Sequence, residues 1–184
     1  MRRFPLLLSV AVSALGLTAA TASTRASDDA SAYSAYLSGR FAADEHDMSD
    51  AAKYYNESLQ HEPNDAMIQA LAFFYSTSSG DIDGAAKLAK KLVVTTADDR
   101  ASRLVLAVSA LKRSDYKGAR EEIAKSAKGA FASLTVALVD AWAAAGMKDA
   151  ATADADLKAL RGQSGMDGII GFHQALILDY LGQT

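Results

Sequence analysis

The chain has 184 residues, a formal net charge of -3, two prolines and no cysteine. Without cysteine there are no disulfides and no thiolate metal sites, and the mild acidity argues against nucleic acid or an anionic membrane surface as partner. Half of the residues are hydrophobic, enough to bury a sizeable core at this length.

The chain opens as an export signal. Arg2 and Arg3 supply the positive start, and residues 6–17 form an apolar stretch too short to span a bilayer comfortably. Ala20-Thr21-Ala22 places small residues where a signal peptidase reads them, so 1–22 is expected to be a signal peptide. Ala26 is the alternative cleavage point, and a membrane anchor is the alternative reading of the segment. Arg2-Arg3-Phe4 is a poor match to a twin-arginine signal, and no cysteine follows to carry a lipid. The expectation is ordinary secretion to a bacterial periplasm or beyond, not a lipoprotein, with no membrane span after cleavage. Removing two arginines takes the net charge of the mature chain from -3 to -5.

Residues 23–31 are Ser, Thr, Asp, Ala and one Arg, which predicts a flexible segment. From residue 32 onward Ala, Leu, Lys and Glu dominate, Pro63 is the one mature proline, and no alternating strand pattern occurs. The fold class is all-α. Helix pairs are expected at 32–45 with 49–61, 66–78 with 82–94, 100–113 with 116–127, and 130–145 with 150–161, followed by a single helix at 168–181. Glu62-Pro63-Asn64-Asp65, Asp98-Asp99 and 162–165 break the chain between pairs.

A 34-residue period runs through these pairs. Asp47, Asp81, Asp115 and Asp149 keep that step, and so do Ala51, Ala85, Ala119 and Ala153. Each Asp stands where the second helix of a pair begins, so its carboxylate is predicted to cap the first turn and to face the positive end of the helix dipole. Each Ala is small because the two helices of a pair approach closely there. Gly39, Ala107, Ala141 and Ala175 form a second small column, interrupted by Phe73. Gly80 and Gly146 suit a left-handed helix end.

This pattern resembles the tetratricopeptide repeat family, whose unit is a 34-residue helix–turn–helix. With the first unit starting at Ala32, Gly39, Ala51, Tyr55 and Pro63 fall on the family's small, alanine, aromatic and proline positions. Later units carry Ala89, Ile123 and Leu157 at the aromatic position and lack the proline, and the family's early Trp and Leu are missing. The resemblance covers residue 32 to the end. It implies a right-handed α-solenoid of antiparallel helix pairs, with about four repeats at 32–65, 66–99, 100–133 and 134–167 and a half-unit at 168–184. It further implies a concave groove lined by the first helix of each pair. The groove residues would be Tyr33, Tyr36, Arg40, Met67, Phe74, Leu104, Val108, Leu138 and Trp142, with Tyr36, Phe74, Leu104 and Trp142 as the leading anchors. Relatives that clamp an acidic chaperone tail use Lys, Asn and Arg at such positions. Here only Arg40 remains, which argues against that partner and for a peptide with hydrophobic anchors.

No catalytic or metal constellation is found, and no cofactor is expected. His46, His61 and His173 lack ligand spacing and read as surface or helix-end residues. Asp154 and Asp156 point in different directions on a helix and read as solvated. Gly165, Gly168 and Gly171 do not make a dinucleotide fingerprint. Lys87, Lys90 and Lys91 read as a solvated stripe. The last helix is apolar nearly all round, whereas a terminal repeat helix should be polar outside. Ile169, Phe172, Leu176 and Tyr180 are therefore candidates for self-association, or for contact with further repeats of a longer protein, or for closure on the fourth unit. The expected function is a non-enzymatic protein-binding scaffold in the cell envelope, with a structural homo-oligomer as the alternative.

Overall fold

The computed structural model describes residues 15–127, 129, 132–161 and 165–183, with side chains from Ala30 onward except Ala132. Most of the expected signal peptide lies outside the described residues, as do residues 162–164 of the expected loop and the expected start of a helix at 130. The described residues form nine helices and no strand. They are α1 (Leu15–Asp44), α2 (Met48–His61), α3 (Ala66–Ser78), α4 (Ile82–Thr95), α5 (Arg100–Lys112), α6 (Tyr116–Ala124), α7 (Ala132–Gly146), α8 (Ala150–Lys158) and α9 (Asp167–Tyr180).

Residues 23–31, expected as a flexible segment, belong to α1. No glycine or proline stands between Gly16 and Gly39, and an alanine-rich stretch without a breaker propagates a helix that has already nucleated.

Two compact units share the chain, the first ending at Leu71 and the second starting at Ala72. In the first, α1 packs along α2. In the second, each helix from α4 to α9 packs on the next, α5 also touches α7, and α7 touches α9.

All four aspartates cap as their spacing predicts. Asp47, Asp81 and Asp115 each accept a backbone N–H three residues on at 2.9 Å, and Asp149 accepts that of Thr152 at 3.0 Å. Such a cap stabilises a helix by about 1 kcal/mol. In α4 and α6 the donor is a glycine, and a Cβ on Gly84 or Gly118 would overlap the capping carboxylate. Two further aspartates, also 34 apart, cap first helices: Asp65 accepts from Ile68 N–H at 2.9 Å, and Asp99 from Ser102 N–H at 2.8 Å.

The turns before these caps share one left-handed residue at the same step: His46, Gly80, Ser114 and Lys148, with φ of 62°, 83°, 60° and 64°. Gly182, one step on, has φ of 68° and ends α9 in the same way. Three of the turns also close with a backbone bond back to the fifth preceding carbonyl: Asp47 to Ala42, Asp115 to Ala110 and Asp149 to Ala144. Gln183 makes the matching bond to Leu178. This is the Schellman arrangement, in which one left-handed residue lets the chain reverse and satisfies an orphan carbonyl.

Gly80 takes the left-handed role expected of it, and Gly146 does not. Gly146 is still helical, and Lys148 makes the turn. The glycine is needed for a different reason: the Tyr116 ring at the start of α6 lies on it, and a Cβ there would overlap the ring.

Ala51, Ala85, Ala119 and Ala153 are completely buried, as close approach within a pair requires. Four positions further along the same helices, Tyr55, Ala89, Ile123 and Leu157 are also buried. In the second small column Gly39, Ala107 and Ala141 are buried, and the Tyr55 ring would lie 3.1 Å from a Cβ on Gly39. Phe73 is buried too, so α3 fills this position with a large side chain. Ala175 on α9 is exposed, because that face of α9 has no covering helix among the described residues.

Candidate functional site

Three of the expected groove residues converge in the first unit. Ser58 on α2 is fully buried, and its hydroxyl donates to the Ala32 carbonyl of α1 at 3.0 Å. That bond fixes the spacing of the two helices beside Tyr33. One turn on, the Tyr36 ring meets the buried Tyr55 ring edge to face, with centroids 6.0 Å apart. Pro63 breaks the chain, its carbonyl accepts from the Gln69 amide at 2.7 Å, and Asp65 caps α3. The start of α3 is thereby held against the rim of a cavity of about 380 Å³ lined by Tyr33, Tyr36, Glu62, Asp65, Met67 and Ile68, with Ala32 and Ser58. Tyr33 and Met67 keep large apolar surfaces in solvent. Arg40 is exposed and does not line this cavity.

In the second unit the remaining groove residues are scattered. Phe74 is 57% exposed and touches the Tyr75 ring edge to face at 5.0 Å. Leu104 is half-buried and lines a cavity of about 320 Å³ with Arg100, Ile123 and Val136. Val108 is half-buried. Leu138 and Trp142 are half-buried against the core formed by Ala141, Ala145, Leu157 and Ile170.

Trp142 is not a free anchor. Its indole N–H donates to His173 Nδ1 at 3.1 Å, and its ring meets those of His173 and Tyr180 edge to face, each at 6.2 Å. Truncating it would loosen the seat of α9 together with any partner contact. His173 is likewise not an ordinary surface residue, since it is the acceptor that ties α9 to α7. A lone histidine with no ligand spacing offered no signal for that role. His46 makes a turn and His61 ends α2, both exposed, as read from the sequence.

On α9, Ile170 and Ile177 are buried and Ile169 is half-buried. Phe172 is 62% exposed, and Leu176 and Tyr180 are exposed as well. Three of the four self-association candidates therefore stand in solvent, although Tyr180 also carries Lys148 Nζ over its ring at 4.3 Å. Lys87, Lys90 and Lys91 are exposed on α4.

Charged pairs tie the second unit together. Arg120 of α6 reaches Asp156 of α8 at 2.6 Å and Asp140 of α7 at 3.7 Å, and its guanidinium also donates to the Asp140 carbonyl at 2.9 Å. Asp156 is thus paired and not solvated as expected, because the alternation that points it away from Asp154 turns it toward α6. Asp154 pairs with Lys158 and accepts from the Gln174 amide of α9 at 2.6 Å. Arg103 of α5 pairs with Glu122 of α6 at 2.5 Å, beside Lys125 at 2.8 Å.

These contacts set a pH dependence. Burial pushes Glu122 up, but hydrogen bonds from Lys125 and Arg103 outweigh it and leave the carboxyl below its ordinary value. Hydrogen bonds from Thr152 lower Asp149, and one from Lys158 lowers Asp154. Carboxyls lowered in the folded state stabilise it above their ordinary range, and that stabilisation is lost as pH falls through the lowered values. Asp140 runs the other way: burial raises it more than Arg120 lowers it, so the folded chain gains stability when it is protonated. The melting temperature is expected to fall as pH drops below about 4. In Asp140→Asn the fall should be steeper, since the opposing gain is gone. Calorimetry across a pH series checks this, and an unchanged slope in the variant would refute the assignment to Asp140.

Among the described residues no three His, Asp or Glu side chains gather as a metal site, and no helix is long and apolar enough to cross a membrane. Compared with known proteins, the chain matches no family model, no curated protein and no solved structure.

Proposed function

We propose that this chain is a non-enzymatic interaction scaffold of the tetratricopeptide type, exported to the cell envelope, that holds a protein or peptide on the first helices of its pairs. In this reading about four repeats and a half-unit stack as a right-handed solenoid. The observation that carries it is the position of the exposed large apolar side chains. Tyr33 and Met67 occupy equivalent places one 34-residue step apart on α1 and α3, and Phe74 lies on the same helix as Met67. Tyr33 and Met67 also line one cavity, and it is neighbouring exposed apolar side chains, more than scattered ones, that mark interaction sites. The recurring caps, left-handed turns and buried alanines support the repeat itself.

The test is selection of decapeptides from a random display library by the purified mature chain. Sequences with large apolar anchors should be enriched. The double variant Tyr33→Ser, Phe74→Ser should lose at least about tenfold in affinity for them with helicity unchanged, since both side chains are exposed. Equal binding by the variant would remove these residues from the site.

A second reading, self-association through α9, is favoured by the exposure of Phe172, Leu176 and Tyr180. Light scattering separates the two: a monomer at high concentration ends the oligomer reading, whereas a dimer abolished by Phe172→Ser supports it.

A further inference from the structure

We propose that the cavity between α1, α2 and the start of α3 takes the side chain of a lysine or arginine from the bound peptide. The inference rests on the scaffold reading above and names the chemistry of one anchor.

Charge is the first observation. Residues 32–71 contain seven acidic and two basic residues, whereas residues 72–184 contain thirteen acidic and fourteen basic. The imbalance thus lies almost wholly in the first unit. Neither basic residue of 32–71, Arg40 or Lys53, answers the cavity. Arg40 does not line it, and Lys53 stands over the Tyr54 ring at 5.0 Å. Among the described residues no cation pairs with Glu62 or Asp65. One oxygen of Asp65 accepts from the Ile68 N–H, and its carboxylate and the exposed one of Glu62 belong to the lining of the cavity.

Shape and lining are the second. The cavity, about 380 Å³, holds a side chain. Met67, Ile68 and the Tyr36 ring offer apolar wall for a methylene stem, and Glu62 and Asp65 add two carboxylates to the same lining. Long basic side chains divide in this way, stem on apolar surface and head in a polar rim. The exposed Tyr33 ring adds a face that attracts a cation. A purely apolar anchor fits less well, because it would desolvate two carboxylates and return no hydrogen bond. An acidic anchor would be repelled. Three of the groove residues read from sequence, Tyr33, Tyr36 and Met67, line this cavity, and Glu62 and Asp65 set its sign.

Decapeptides enriched by the wild-type chain from the same random library provide the probe. They should contain a recurrent Lys or Arg. Replacing that residue by norleucine, which keeps the stem and removes the charge, should weaken binding about tenfold, and the loss should shrink at high salt. In Glu62→Gln the lysine and norleucine peptides should bind alike. In Glu62→Lys the basic residue should vanish from the enriched set while apolar anchors persist. Glu62 ends α2 through its backbone N–H, so both variants keep that bond. Enriched peptides without a basic residue, or equal binding of norleucine peptides to wild type, would overturn the cation pocket and leave the scaffold standing. Enrichment of nothing above the Tyr33→Ser, Phe74→Ser variant would overturn both.

Discussion

Leu157→Ala is expected to destabilise the second unit by about 3 kcal/mol, within the range of 2 to 5 found for emptied core positions. Leu157 is 0% exposed and packs with Ala141, Ala153, Leu160 and Ile177, drawn from α7, α8, the turn after α8, and α9. Two of these four neighbours are alanine, and alanine has no rotamer with which to move in. Collapse would need whole helices to shift, and Arg120, bonded to both α7 and α8, opposes that shift. A drop in melting temperature of roughly 10 °C follows for a chain of this size. Thermal unfolding by circular dichroism checks it, and a change under about 2 °C would mean that the α7–α8–α9 core is loosely packed.

The second large effect contrasts two residues at the same repeat position. Ala141 is 0% exposed between α7 and its neighbours, and Ala175, one step on, is exposed on α9. Ala141→Leu should cost about 1–3 kcal/mol by overpacking, whereas Ala175→Leu should change stability by less than about 0.5 kcal/mol. The repeat position is the same and only the neighbouring helix differs. Equal effects in the two variants would show that α9 is covered in solution. A marked loss at Ala175 alone would place a partner on that face.

Much of the helical layout was legible in the sequence because it rests on local chemistry. The aspartates act within three residues of themselves, and a column of alanine reports close helix approach without reference to anything distant. α3 matches its expected bounds, and most other ends fall within three residues of theirs. What stayed hidden depended on neighbours in space. Lys148 was not a visible left-handed residue, because lysine has no preference for that region. Nothing local told that Gly146 serves the Tyr116 ring. The His173 acceptor for Trp142 and the Arg120 tie between α7 and α8 both join residues from different helices. In the site, the apolar side chains followed from repeat position. Glu62 and Asp65 did not, because they sit in the turn between pairs, and the expectation placed the site on helices alone.

The left-handed turns have a kinetic consequence. Of the five, three are made by His46, Ser114 and Lys148, whose Cβ makes that backbone region costly. The reversal at those points must therefore be imposed by the packing of the helices on either side. It should form after them or together with them, and not ahead as a nucleus. In the second unit each helix packs on the next in the chain, or on the next but one, so contacts span only a few tens of residues. Little loop-closure entropy is spent on each, and chains built this way reach their native contacts rapidly.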